Sequence, residues 1–197
     1  MLWFYHFIKN KLYQHIIRPI IESCSPINQV ALGTLVGFLV GLTPTVGIQM
    51  WMVFMIWLFF KYILRIKFDL IIGTALVWIS NPLTMFFMYY GFLITGYHFF
   101  SLIGHNDMVL SFSEFKTELS FITNNPSSGY LDTMINGSKF LLLDLGYPMV
   151  IGSLFYAIPI SIISFFITKK YLYKYRLRQA EKMGISYENW RVKFETR

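Results

Sequence analysis

Strongly polar side chains are rare in three long stretches of this chain. Val30 to Phe60 contains only Gln49, Leu70 to Phe100 contains Asn81 and His98, and Tyr147 to Thr168 carries no charge. About 20 apolar residues suffice for a helix to cross about 30 Å of hydrocarbon. The pattern predicts an all-α integral membrane protein of about four membrane helices or half-helices, with proline-interrupted segments. Ahead of them, Phe4, Ile8, Leu12 and Ile16 recur every four residues, while Lys9, Lys11, His15 and Arg18 fill other sectors. That periodicity predicts an amphipathic N-terminal helix over residues 1–26, suited to a membrane interface or to packing on the rest of the chain.

The expected organisation follows. Paired, proline-interrupted membrane helices occupy 27–103, a polar extracytoplasmic loop 104–145, the last membrane helix 146–168 and a basic cytoplasmic tail 169–197. Within the paired region the expected pieces are 27–42, 44–62, 70–80 and 83–103, with a re-entrant hairpin as the alternative for the first two. The loop carries five acids against two bases, whereas nine Lys or Arg lie from residue 169 onward. Three more lie at 61–67 and three among the first 29 residues. By the positive-inside bias, the chain is expected in a bacterial inner membrane, multi-pass, with both termini cytoplasmic.

Two sequence features bear on packing and on a site. Gly33, Gly37 and Gly41 are spaced by four, so they share one helix face and permit close backbone approach. Thr43-Pro44 and Asn81-Pro82 each place a capping residue before a proline ahead of an apolar run. Proline is favoured at the first helical position, where its missing N–H costs nothing. Both pairs are therefore expected to start helices. The piece before Asn81 is about half a membrane thick, and helix starts at that depth require protein or trapped water around them. The candidate polar site, for substrate or for structure, comprises Thr43, Pro44, Thr45, Gly47, Gln49, Asn81, Pro82 and Thr84. Gln49 is expected to point back to the broken region.

The chemistry is otherwise sparse. Cys24 is the only cysteine, and the four histidines are scattered. No Ser-His-Asp order, phosphate loop or metal-ligand spacing is present, so no catalytic residue, metal or cofactor is expected. Asp69 beside Lys67 reads as an interfacial ion pair. The net charge of +7 resides largely in the segment after the last apolar block, which is the pattern of a juxtamembrane flank and not of a nucleic-acid surface. Lys169, Lys170, Lys174, Arg176 and Arg178 are the expected contacts to anionic lipid headgroups.

The three-glycine series, "GLTPTVGIQ" and "WISNPLTMFFMYYG", in this order and spacing, resemble the bacterial membrane family called domain of unknown function 2062. The resemblance covers roughly 10–100 and resumes over 146–182. It implies a bacterial membrane protein, and some family members are joined to glycosyltransferase domains. It implies no activity. Two functions stay open: a non-catalytic accessory or assembly component of the envelope, and a small transporter or translocator of an anionic or lipid-linked substrate. Expected partners are a bilayer with anionic headgroups and either envelope-biosynthesis enzymes or a second copy meeting the glycine face.

Overall fold

The computed structural model describes residues 17–45, 47–80, 82–104 and 145–195. All regular structure among them is helical. In chain order the helices are α1 (Arg18–Glu22), α2 (Ile27–Gly41), α3 (Gln49–Phe59), α4 (Leu70–Val77), α5 (Pro82–Leu102), α6 (Tyr147–Lys182) and α7 (Tyr187–Phe194). A π turn, Phe60–Leu64, continues α3 and stops at Arg65, whose φ of 56° is left-handed. Most of the expected amphipathic helix, residues 1–16, lies outside the described residues, as does nearly all of the 104–145 loop.

Length and apolarity separate these helices. One described helix, Tyr147–Lys182, is long and apolar enough to cross a membrane. Ile27–Gly41 and Gln49–Leu64 are apolar but shorter. At 1.5 Å per residue α2 is about 22 Å long and α4 about 12 Å. The expectation of about four membrane helices is thus narrowed, among the described residues, to an all-helical architecture with one helix of spanning length and apolarity.

Two other expected boundaries shift. The last apolar helix does not stop at residue 168; α6 runs on unbroken through the basic segment to Lys182. Its lysines and arginines are good helix formers, and no proline or glycine interrupts 160–182. The second apolar helix begins at Gln49 and not at Pro44.

The chain forms two compact units, residues 1–81 with 157–197 and residues 82–156. In the first, α2 lies against α4 through its glycine face. A Cβ on Gly33 would stand 2.6 Å from the Asp69 carbonyl oxygen, and one on Gly37 would stand 2.7 Å from the Gly73 oxygen. Gly41 abuts Ile79 and Leu76. The glycine face is therefore taken up within the chain by α4. The alternative in which a second copy meets this face thus finds it already covered by α4. Val36, Val40, Val53, Phe68 and Val77 form one buried cluster, and Val30, Ile72, Leu76 and Leu172 form another.

Asp69 holds the start of α4. Its carboxylate accepts from the backbone N–H of Ile71 and Ile72 at 3.1 and 3.2 Å and from Ser23 Oγ at 2.7 Å. Its backbone N–H donates to the Gln29 carbonyl at 3.0 Å. These bonds, and not a pairing with Lys67, define Asp69: an acid at an N-cap satisfies free N–H groups and meets the positive helix end.

In the second unit, α5 meets the first turns of α6 through small residues. The Cβ position of Gly96 is blocked by Pro148 backbone, and that of Gly152 by Phe92 backbone. Thr95 Oγ1 and the Tyr156 hydroxyl lie 2.8 Å apart. Phe99–Phe155 and Phe100–Tyr147 ring contacts, with centroids 5.2 and 5.4 Å apart, complete the seam.

Candidate functional site

The turn after α2 is built from its own polar groups. Thr43 Oγ1 donates to the Val40 carbonyl at 2.7 Å, and the Thr43 and Thr45 hydroxyls are 2.9 Å apart. The Ile48 N–H donates to the Thr45 carbonyl at 3.2 Å. Gly47 adopts a φ of 88°, a conformation that a Cβ resists. This turn carries the chain past Pro44, so α3 starts five residues later than the Thr43-Pro44 pair suggested. Ile48 stands at the N-cap with no side-chain bond. The cap-then-proline reading of Thr43-Pro44 is corrected accordingly. By contrast, Pro82 is the first residue of α5. Asn81 lies outside the described residues, and Thr84 sits in the first turn of α5.

Gln49 joins the two interrupted regions within the first unit. Its Nε2 donates to the Thr43 carbonyl at 3.2 Å, and its Oε1 accepts from Ser80 Oγ at 2.9 Å. The side chain is buried, at 6% exposure. A buried amide in an apolar setting must find partners, since leaving one unsatisfied costs about 1–3 kcal/mol. Here both ends of the amide are engaged, one with each broken segment. The arrangement ties the turn at Thr43 to the end of α4. Its side chains are an amide and three hydroxyls, those of Thr43, Thr45 and Ser80. Ser80, absent from the sequence-derived set, completes it; its position one residue before Asn-Pro was the available signal.

Hydroxyls elsewhere in the apolar helices also bond inward. Thr34 donates to the Ala31 carbonyl at 2.8 Å, Ser153 to Val150 at 2.7 Å, and Ser161 to Ile158 at 2.8 Å. Such back-bonding lets a hydroxyl sit where no water reaches it.

The basic segment divides sharply. Lys169, Lys170, Lys174 and Arg178 are exposed on α6. Arg176 is not: it is 1% exposed, donating from Nη1 to Glu195 Oε1 at 2.6 Å and from Nη2 to the Ser23 and Ser25 carbonyls, each at 2.8 Å. Its guanidinium also lies 5.5 Å from the Trp190 ring centre. Arg176 is thus removed from the expected headgroup contacts. It latches α7 and the 23–25 segment to α6. Gly184, with φ of 67°, turns the chain after α6, and Ser186 Oγ caps α7 by accepting from the Asn189 N–H at 3.3 Å.

No cluster of three or more His, Cys, Asp or Glu able to hold a metal occurs among the described residues. The family model described as an uncharacterized protein conserved in bacteria, domain of unknown function 2062, matches residues 10–181. The chain belongs to that family. No curated protein and no solved structure matches it.

Proposed function

We propose that this family member is a multi-pass protein of the bacterial inner membrane, acting as a non-catalytic accessory or assembly component of the envelope. The observation that carries this reading is the internal bonding of the Gln49 junction. Thr43, Thr45, Gln49 and Ser80 bond to one another or to backbone. A transport site of the broken-helix kind presents such groups to a substrate; here they serve the fold. Membrane residence is supported by the apolar stretch of α6, where Phe155, Ile162, Ile163, Phe166 and Ile167 are each at least 47% exposed. Side chains of that kind are stable facing lipid. Partners of the accessory role are envelope-biosynthesis enzymes. The open apolar face of α3 around Met50, Trp51 and Met55 is a surface for them.

The test pairs two measurements on the full chain. Liposomes containing the purified protein are assayed for flux of a panel of anionic solutes and for flipping of a labelled lipid. In parallel, a photo-crosslinking residue is placed at Trp51 in cells. The accessory reading expects flux equal to empty liposomes and a discrete crosslink to an envelope enzyme. Flux that rises with protein and is lost in Gln49→Ala, with folding retained, would establish the translocator instead.

A further inference from the structure

We propose that the groove between the start of α2, the middle of α6 and α7 binds the phosphate headgroup of an anionic phospholipid. The inference rests on α6 lying in a bilayer, and not on the choice between accessory and translocator.

The groove has a volume of about 750 Å³. Lys169 and Lys170 line it from α6 and Arg191 from α7. Against these three cations stands one carboxylate, Glu195. That carboxylate is already held by Arg176 at 2.6 Å and by Arg191 at 3.3 Å. The cations therefore leave the groove positive. Ile27 and Asn28, the first residues of α2, form another part of the wall. The start of a 15-residue helix adds its positive dipole end to the same space. Tyr187 also lines the groove, and burial, followed by the Glu195 charge, pushes its phenol above the usual tyrosine range. Its hydroxyl stays protonated at neutral pH and can donate to a phosphate oxygen.

A free phosphate would be served by these cations alone. The rest of the wall favours a lipid. Phe166 lines the groove and is 63% exposed. It lies three and four residues before Lys169 and Lys170, on the same helix face. Ile162 and Ile163, 47% and 55% exposed, extend that stripe by four and three residues toward the apolar part of α6. One helix face thus runs from lipid-facing isoleucines to phosphate-seeking lysines. An acyl chain along the first part brings its headgroup to the second. Lysine also binds phosphate as a point charge, while arginine adds a fork of donors.

The test titrates the detergent-solubilised full chain with dioleoyl-phosphatidylglycerol and, separately, with dioleoyl-phosphatidylcholine. Native mass spectrometry counts the bound lipid. Phosphatidylglycerol is expected to bind more tightly. Lys169→Gln/Lys170→Gln/Arg191→Gln is expected to weaken it about tenfold or more, each cation near a phosphate being worth roughly fivefold. Lys182→Gln/Lys193→Gln removes two exposed cations that neither line the groove nor belong to the expected headgroup contacts, and is expected to change binding less than about twofold. Since Arg191 also touches Glu195, Lys169→Gln/Lys170→Gln alone is read in parallel and is expected to lose about fivefold or more. Equal losses in the groove and control variants would overturn the site, as would no preference over phosphatidylcholine. Full displacement by millimolar inorganic phosphate would assign the groove to free phosphate and overturn the lipid.

Discussion

Gln49 and Ser80, 31 residues apart in sequence, share a hydrogen bond of 2.9 Å that fastens the turn after α2 to the end of α4. Because Gln49 also donates to the Thr43 carbonyl, the amide is a bracket between the turn and the end of α4. Gln49→Leu should cost about 1–3 kcal/mol, the usual penalty for orphaning buried polar groups. Ser80→Ala should cost less, near 1 kcal/mol, because the Val77 carbonyl that Ser80 Oγ also reaches keeps the Ser80 N–H as a donor, and only the Gln49 oxygen is left short of one. Thermal unfolding in detergent measures both. The double variant should show coupling of about 0.5–3 kcal/mol. Strict additivity would mean that the bracket does not form.

The glycines give a graded test. Gly37→Ala puts a methyl 2.7 Å from the Gly73 oxygen and 2.8 Å from Leu76 Cβ, so α2 and α4 must separate. A loss of about 1–3 kcal/mol is expected, typical of overpacking. Gly96→Ala drives its methyl into Pro148 backbone and should be at least as harmful. Gly91→Ala meets nothing within 4 Å and should gain about 0.5–1 kcal/mol through helix preference. The order Gly91, Gly37, Gly96 in rising cost is the outcome to check by melting temperature.

Arg176 is the costliest single truncation expected. Arg176→Met leaves Glu195, only 8% exposed, without its nearest cation and frees the Ser23 and Ser25 carbonyls. Breaking one side of a buried pair costs about 3–5 kcal/mol. Arg176→Met/Glu195→Leu should recover much of that, because no buried charge then stands alone. Protease sensitivity of the C-terminal segment gives an independent reading: α7 should be cleaved readily in the single variant and less so in the double.

Tyr187 sets an alkaline limit. Its phenol is raised above the ordinary value by burial first and by Glu195 second. The folded state therefore holds this proton more tightly than the unfolded chain. Its contribution is present below the unfolded value near 10 and is lost as pH rises through the higher folded value. Stability should fall above about pH 10. Tyr187→Phe should remove part of that fall, read from melting curves and from tyrosinate absorbance. An unchanged alkaline profile would contradict the shift.

For topology, the charge layout predicts cytoplasmic termini and an external 105–140 segment. With Cys24 replaced, a cysteine at Ser127 should react with an impermeant thiol reagent in intact cells, and one at Ser186 only after lysis. The reverse pattern would invert the protein.

Particular residues show what could be read from the chain. The four-residue spacing of Gly33, Gly37 and Gly41 fixes a common helix face by geometry alone, though its partner, α4, could not be named from spacing. Pro82 opens α5 as local chemistry suggests. Pro44 sits in the same kind of local sequence yet lies in a turn, because the left-handed Gly47 and the bond between Gln49 and the Thr43 carbonyl hold the chain outside a helix until Gln49. Local preference was overridden by contacts. Arg176 was illegible for a related reason. It looks like its neighbours Lys174 and Arg178, and only residues 19 and about 150 positions away bury it. Asp69, directly before an apolar run, carried an N-cap signal in plain view that the adjacent Lys67 obscured.

The unbroken run of α6 through residue 182 has a consequence of phase. Ile162, Phe166, Lys170 and the latch residue Arg176 are all set at fixed angles on one helical screw. One inserted residue after Thr168 would turn everything beyond it by about 100° relative to the isoleucine stripe. Lys170 would leave the line of Phe166, and Arg176 would swing away from Glu195. Four inserted residues would restore the angle to within about 40° while advancing the groove by one turn. The apolar stripe, the cations and the latch are therefore not three separable parts; the helix keeps them in step as teeth on one shaft.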